Sequence, residues 1–238
     1  MAYGPVTIVH FSTERSMAAD SPQYLWLSRT LRAVDRSVTP WVIAQGHRPM
    51  YVDEPVACDP FLGCGDVDGL HYYWNLLDPL FTETRVDLVY AGHHHVTQRH
   101  CAAYQGRCTM NSTLDPATGA NVYDGPQNPV HYTIGNAGAG SDTPGARSPG
   151  TGALFTAWEA PNTAYARARA DGAALTVEIV DARTHAVLDT SVIRKAVPFA
   201  LGGGGGKGGQ GGGPRAGAPA ATNAILLSVD GMHEADLE

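Results

Sequence analysis

Residues 202–213 read GGGGGKGGQGGG, ten glycines in twelve positions. A run of this kind has no side chains to bury and loses more backbone entropy on ordering than packing returns, so it reads as a flexible coil. A phosphate-cradling loop would need Ser or Thr after Lys207 and a helix beyond it, but Gly208 follows and no helical pattern does. The tract therefore sets the organisation: a globular part over 1–200, a Gly-rich linker over 201–222 and a short tail over 223–238. With 238 residues and 43% hydrophobic composition, the first part is long enough for one domain with a sizeable core. The balance is acidic, 23 Asp+Glu against 16 Lys+Arg, which supplies no basic field for a nucleic-acid backbone or a membrane surface. No apolar run reaches the roughly 20 residues of a membrane helix. The opening MAYGPVTIVHF has neither the basic region nor the cleavage site of a signal peptide.

Within the first part, hydrophobic patterning alternates between strand and helix. VTIVHF (6–11) is a buried-strand pattern. Ser21-Pro22 suits an N-cap and first turn, and Tyr24, Leu27, Leu31 and Val34 at three- and four-residue spacing predict an amphipathic helix over 22–35. WVIA (41–44) is a second strand. LHYYWNLLDPLF (70–81) predicts a helix at least to Leu77, with Pro79 obscuring its end. VDLVYA (86–91) is a third strand. Strand, helix, strand, helix, strand is a parallel α/β pattern. After Cys108, short candidate strands at 130–134, 153–158, 164–169, 174–180 and 187–193 are separated by turn-rich segments, which predicts a mainly antiparallel second half.

Two of the parallel strands end alike. WVIA runs into Gln45-Gly46-His47, and VDLVYA into Gly92-His93-His94-His95. Ligands of open α/β sheets bind beyond the carboxyl ends of the strands, and a Gly there lets the chain turn sharply. Imidazole is a ligand for zinc, iron and related metals. In a regular strand His93 and His95 would face one side and His94 the other, so His47, His93 and His95 are the candidate metal ligands. His10, His71, His131 and His185 read better as hydrogen-bonded core or surface residues, and His94 and His100 stay open.

The segments HFSTE (10–14), QYLWLSRTLRAVDRSVTPWVIAQGHRPMY (23–51), VDLVYAGHHHVTQRHCAAYQGRC (86–108) and PVHYTIGNAG (129–138) resemble, in unbroken order, the C-terminal half of a purple acid phosphatase, the plant- and algal-type metallophosphoesterase. The likeness covers about residues 4–197. It implies a partial metallophosphoesterase sandwich of the α/β class: a βαβαβ unit followed by antiparallel strands, with a disordered Gly-rich linker and tail. It implies hydrolysis of phosphate monoesters by a dinuclear centre of Fe with Zn, Mn or Fe, and assigns His47, His93 and His95 to that centre. It also favours a bridge between Cys101 and Cys108, and a secreted, extracellular or vacuolar setting.

The departures carry as much weight. The family's Asp-x-Gly, Gly-Asp-x-x-Tyr and Gly-Asn-His-Glu segments, which supply the carboxylates, the Tyr and a catalytic His, do not occur in this sequence. Gly65-Asp66-Val67-Asp68-Gly69 stands at the wrong place in the order and reads as a turn. Where the family has Ala-Tyr-Glu-Arg, this chain has Val96-Thr97-Gln98-Arg99. Three imidazoles provide no anionic bridge between two cations, so the chain alone is expected to hold at most one ion, and no catalytic residue is assigned. An exposed parallel edge and apolar face are expected where the rest of such a domain would pack. Asn111-Ser112-Thr113 is an N-glycosylation acceptor sequence, which with paired cysteines suits an oxidising compartment; a cytosolic chain with Cys58, Cys64, Cys101 and Cys108 reduced is the other reading. The tail AILLSVDGMHEADLE (224–238) resembles the opening strand of alkaline-phosphatase-like phosphodiesterases, which would make Asp230 a metal ligand; an apolar strand without function explains it equally well. Beside the phosphatase reading stand a non-catalytic metal-binding or interaction module and, more weakly, a fragment of such a phosphodiesterase. Nothing in the sequence sets the oligomeric state.

Overall fold

The computed structural model describes residues 1–53, 70–136, 156–160, 163–195 and 223–227. The elements in chain order are β1 (Ala2–Tyr3), β2 (Val6–His10), α1 (Pro22–Arg32), β3 (Trp41–Gln45), α2 (Leu70–Glu83), β4 (Leu88–Ala91), β5 (Thr97–Tyr104), β6 (Arg107–Met110), β7 (Thr113–Leu114), β8 (Asn121–Asp124), β9 (Val130–Ile134), β10 (Thr156–Ala160), β11 (Ala164–Ala170), β12 (Ala174–Asp181), β13 (Val187–Arg194) and β14 (Asn223–Leu227). They form an eight-stranded sheet in the order β1-β2-β3-β4-β9-β5-β10, with β6 on β5, and a six-stranded sheet in the order β14-β11-β12-β13-β8-β7.

The βαβαβ unit forms as the periodicity predicts, with β2, β3 and β4 parallel neighbours. The Ser21 hydroxyl accepts the Tyr24 N–H at 3.1 Å and starts α1, and Pro22 occupies its first turn. The helix stops at Arg32, three residues short of the predicted end. α2 continues through Pro79 to Glu83. Pro79 and Asn75, whose carbonyl loses its helical donor, are both exposed, so the gap opens to solvent rather than into the core.

The second half is less uniformly antiparallel than expected. Val130–Ile134 joins the first sheet as a fourth parallel strand beside β4 (Leu88↔Val130 to Ala91↔Thr133). β8 also runs parallel to β13. Strand patterning reports burial on two faces and is silent on the direction of the neighbour, which the connections decide.

Both faces of the first sheet are covered, contrary to the expected bare face. Val9, Val42, Ala44 and Val89 pack under the helices with Leu27, Leu31, Leu77 and Phe81. Ile8, Trp41, Ile43, Leu88 and Tyr132 face the second sheet, whose β11 supplies Ala164, Ala166 and Ala168. Small residues opposite large rings let the sheets interlock. The parallel edge is capped in turn: Gly4, at φ 55°, reverses the chain so that β1 pairs antiparallel with β2. At the far side of the second sheet the apolar run of the tail is an edge strand, Ala166↔Leu227 to Ala170↔Asn223 against β11.

Polar groups cross the interface between the sheets. Arg99 on β5 makes a two-pronged pair with Asp189 on β13 (2.7 and 3.1 Å), and it also donates to the Tyr123 hydroxyl (2.8 Å). The Tyr123 hydroxyl donates to the His100 carbonyl at 2.7 Å, and Tyr132 bonds Ser191. Arg99 and Asp189 are almost wholly buried, at 1% and 3% side-chain exposure, so each charge depends on the other.

Candidate metal centre at the ends of the parallel strands

β3 and β4 bring their two histidines together through backbone pairing. Register runs Ile43↔Leu88 to Gln45↔Tyr90, and the loops extend it: Gly46 N–H bonds the Tyr90 carbonyl (3.1 Å) and Gly92 N–H the His47 carbonyl (2.9 Å). Gly46 is required by space, since a Cβ there would sit 2.8 Å from the Phe11 ring. His93 Nδ1 then lies 3.0 Å from His47 Nε2, the rings edge to face.

The strand geometry assumed for His93 and His95 does not hold. β4 ends at Ala91, residues 93–95 form a bend, and His93 has φ 65°, a left-handed conformation uncommon for a side chain with a Cβ. The alternation that would put His93 and His95 on one side is therefore lost. His95 sits partly buried in the same bend. Among the described residues, no group of three or more His, Cys, Asp or Glu side chains stands ready to hold a metal ion. The structure brings His47 and His93 into contact.

A third strand end contributes residues that sequence reasoning passed over. Beyond β2, Glu14 pairs with Arg48 (Oε1–Nε 2.9 Å), and the Thr13 hydroxyl accepts the Arg48 N–H at 2.9 Å. The Arg48 hydrogen bond, with its charge, holds the Glu14 carboxyl below its usual range against the effect of partial burial. Arg48 Nη1 lies 3.3 Å from His93 Nε2. Guanidinium only donates, so His93 Nε2 accepts, and the proton of neutral His93 sits on Nδ1 and is directed at His47 Nε2. The position of HFSTE after the first strand and of Arg48 directly after His47 was the available signal. Gly135 was also missed: a Cβ there would fall 2.3 Å from the His94 carbonyl oxygen, so only glycine lets β9 approach the histidine bend.

Two further histidines, His100 and His131, are buried in the core. His100 is fully buried, 3.1 Å from the Thr133 hydroxyl, and burial pushes it down to about 4. His131 is buried edge-on against Tyr51, with burial again holding it well below its ordinary value. Cys101 and Cys108 are joined, with Cα atoms 5.6 Å apart. Asn111 is exposed between β6 and β7. Cys58, Cys64, the glycine tract and Asp230 lie outside the described residues, as does the side chain of His71.

Residues 3–97 match the calcineurin-like phosphoesterase family. Curated relatives of the chain include purple acid phosphatases. It is 33% identical over 138 residues to probable inactive purple acid phosphatase 9 of Arabidopsis thaliana, covering 58% of this chain and 18% of that protein. It is 27% identical over 141 residues to the Fe(3+)-Zn(2+) purple acid phosphatase 12 of the same plant, 55% of this chain and 25% of that one. In fold it resembles a purple acid phosphatase from seeds of yellow lupin (Lupinus luteus), with TM-score 0.64 and 22% identity, covering 82% of this chain and 32% of that structure. The chain thus spans less than a third of each of these proteins. The two-sheet α/β architecture is that of a purple-acid-phosphatase-type metallophosphoesterase, as the motifs implied. No helix among the described residues is long and apolar enough to cross a membrane.

Proposed function

We propose that this chain is the histidine-bearing portion, over 1–200, of a purple-acid-phosphatase-like hydrolase of phosphate monoesters, and that it is inactive or weakly active by itself. The observation that carries the reading is the meeting of His47 and His93 at the ends of β3 and β4 with Arg48 donating to His93, and with no group of three or more His, Cys, Asp or Glu side chains poised for a metal among the described residues. Two imidazoles fit one cation. They do not fit a pair of them, because two divalent ions a few ångström apart repel strongly unless an anion bridges them. We therefore place no hydrolytic step on these residues alone. The joined Cys101 and Cys108 support maturation in an oxidising compartment, hence a secreted or vacuolar protein. Reading 201–222 as a linker and 223–238 as the start of a second hydrolase has less support, since Asn223–Leu227 pairs with β11.

A non-catalytic module is the second reading, favoured by the guanidinium seated against His93. One assay separates the two. The purified, metal-loaded 238-residue chain should not turn over p-nitrophenyl phosphate at acid pH. Fusing the upstream half of a related purple acid phosphatase before Met1 should restore turnover, dependent on His47, His93 and His95. Robust turnover by the unfused chain that disappears in His95→Ala overturns the proposal; a fused chain without activity favours the non-catalytic module.

A further inference from the structure

The second sheet is closed at β11 by a strand on a slack tether. β14 pairs antiparallel with β11 from Ala166↔Leu227 to Ala170↔Asn223 and is the outermost strand on that side. Without it, the backbone groups along that edge of β11 would template pairing with another chain. Charged side chains commonly guard such an edge, but Arg167 and Arg169 of β11 both pair with Glu178 of β12 (2.6 and 2.9 Å). The opposite row of β11, Ala164, Ala166, Ala168 and Ala170, is buried. An uncharged strand such as NAILL (223–227) therefore suits the edge. The gap its tether must cross is short. The registers Ala174↔Arg194, Ala170↔Leu175 and Ala170↔Asn223 set the start of β14 three strand spacings from the end of β13, about 14 Å. Residues 196–222, which join the two strands, reach about 90 Å when extended. A connection this long and this rich in glycine does not oblige β14 to pair with its own β11.

We propose that the β11 edge is a strand-addition site for the Asn223–Leu227 segment of a second copy of this chain, so that two copies exchange their tails. The exchanged strand makes the same backbone ladder, residue for residue, as the one within the chain, so exchange sacrifices no pairing. Concentration then sets the balance between the closed monomer and the exchanged pair. A tether holds its own strand near the edge at an effective concentration in the millimolar range at most, because slack dilutes it. Dilute protein is closed and monomeric, and concentrated protein shares strands between copies. Two-fold exchange uses both edges and stops at the dimer. The inference makes no use of the metal centre and holds whether or not the chain is a phosphatase.

The test uses the full chain, with a fluorescent peptide of residues 221–229, ATNAILLSV, standing in for the tail of the second copy. Adjacent backbone N–H groups of a strand point to opposite sides, so the double variant Ile225→Pro/Leu226→Pro removes one that faces β11. This variant, its β11 edge open, should bind the peptide at least about tenfold more tightly than wild type, whose edge is filled by its own strand. A peptide carrying the same two prolines should bind neither. Independently, wild type refolded from urea should scatter X-rays as a monomer at about 10 µM and as a dimer at about 1 mM, and the double variant as a monomer at both. Equal peptide binding by wild type and a folded double variant overturns the proposal, as does a dimer that the double variant also forms. If the double variant does not fold, the wild-type series decides alone: a monomer at both concentrations overturns the proposal.

Discussion

Three residues at the strand ends hold a chain of contacts in which each atom has a defined role. Arg48, fixed by Glu14, donates to His93, and His93 donates to His47. A cation can reach these imidazole nitrogens only by displacing those donors, so Arg48 competes with metal for the site. Calorimetric titration with zinc should give about one ion per chain, with weaker binding in His93→Ala. Arg48→Ala should bind zinc more tightly, by about tenfold if one charge-assisted hydrogen bond of about 1.5 kcal/mol is removed. Equal affinity in wild type and His93→Ala would remove the pair as a metal site. Gly135 acts through space instead. Gly135→Ala forces a methyl into the His94 carbonyl, and an overpacking cost of about 1–3 kcal/mol should appear as a lowered urea midpoint.

At the scale of elements, Asp78 joins α2 to the β5–β6 turn. Its Oδ2 accepts the Tyr51 hydroxyl (2.6 Å) and the Gln105 N–H (2.7 Å), while its buried Oδ1 has no hydrogen-bond partner. A protonated carboxyl with its hydrogen on Oδ1 suits that arrangement, and burial pushes the group up to about 6 from an ordinary 3.8. The folded chain therefore keeps a proton that the unfolded chain releases between those values. The stabilisation is complete below the unfolded value, is lost as pH rises through the folded one, and amounts to something on the order of 3 kcal/mol. Buried His100 and His131, held low, act in the opposite sense over the same window, so the readout is the difference: urea midpoints of Asp78→Asn should rise more steeply from pH 4 to 6.5 than those of wild type. An unchanged slope in the variant would mean that Asp78 is ionised throughout.

Across the whole molecule, the two sheets are joined by apolar contact and by the Arg99–Asp189 pair. Removing one member of a buried pair leaves the other charge without compensation, at a cost of about 3–5 kcal/mol. Asp189→Ala should lower the unfolding free energy by that amount. Exchanging both residues for apolar ones of similar volume should recover much of it, and chemical denaturation of the single and double variants measures both. A loss under about 1 kcal/mol in Asp189→Ala would show the pair to be well solvated.

The first half of the fold was legible because its information is local. Apolar runs, the Ser21 cap and the Gly-His strand ends mark β2, α1, β3 and β4 whatever their neighbours are. β5 was invisible for the opposite reason. Thr97, Gln98, Arg99 and His100 carry no apolar run or alternation to mark a strand, yet all four are buried. Their partners Asn136, Asp53, Asp189 and Thr133 lie between 33 and 90 positions away along the chain. A polar strand can occupy a core only when distant groups satisfy it, and no window of sequence contains those groups. The candidate site divides in the same way. Which histidines stand at strand ends is a property of the sequence. That His47 and His93 touch, that the bend at His93 cancels strand alternation, and that Arg48 stands where a cation would compete all depend on loops meeting across the sheet. Periodicity assigns a residue to a face, whereas the partner across space is chosen by tertiary packing.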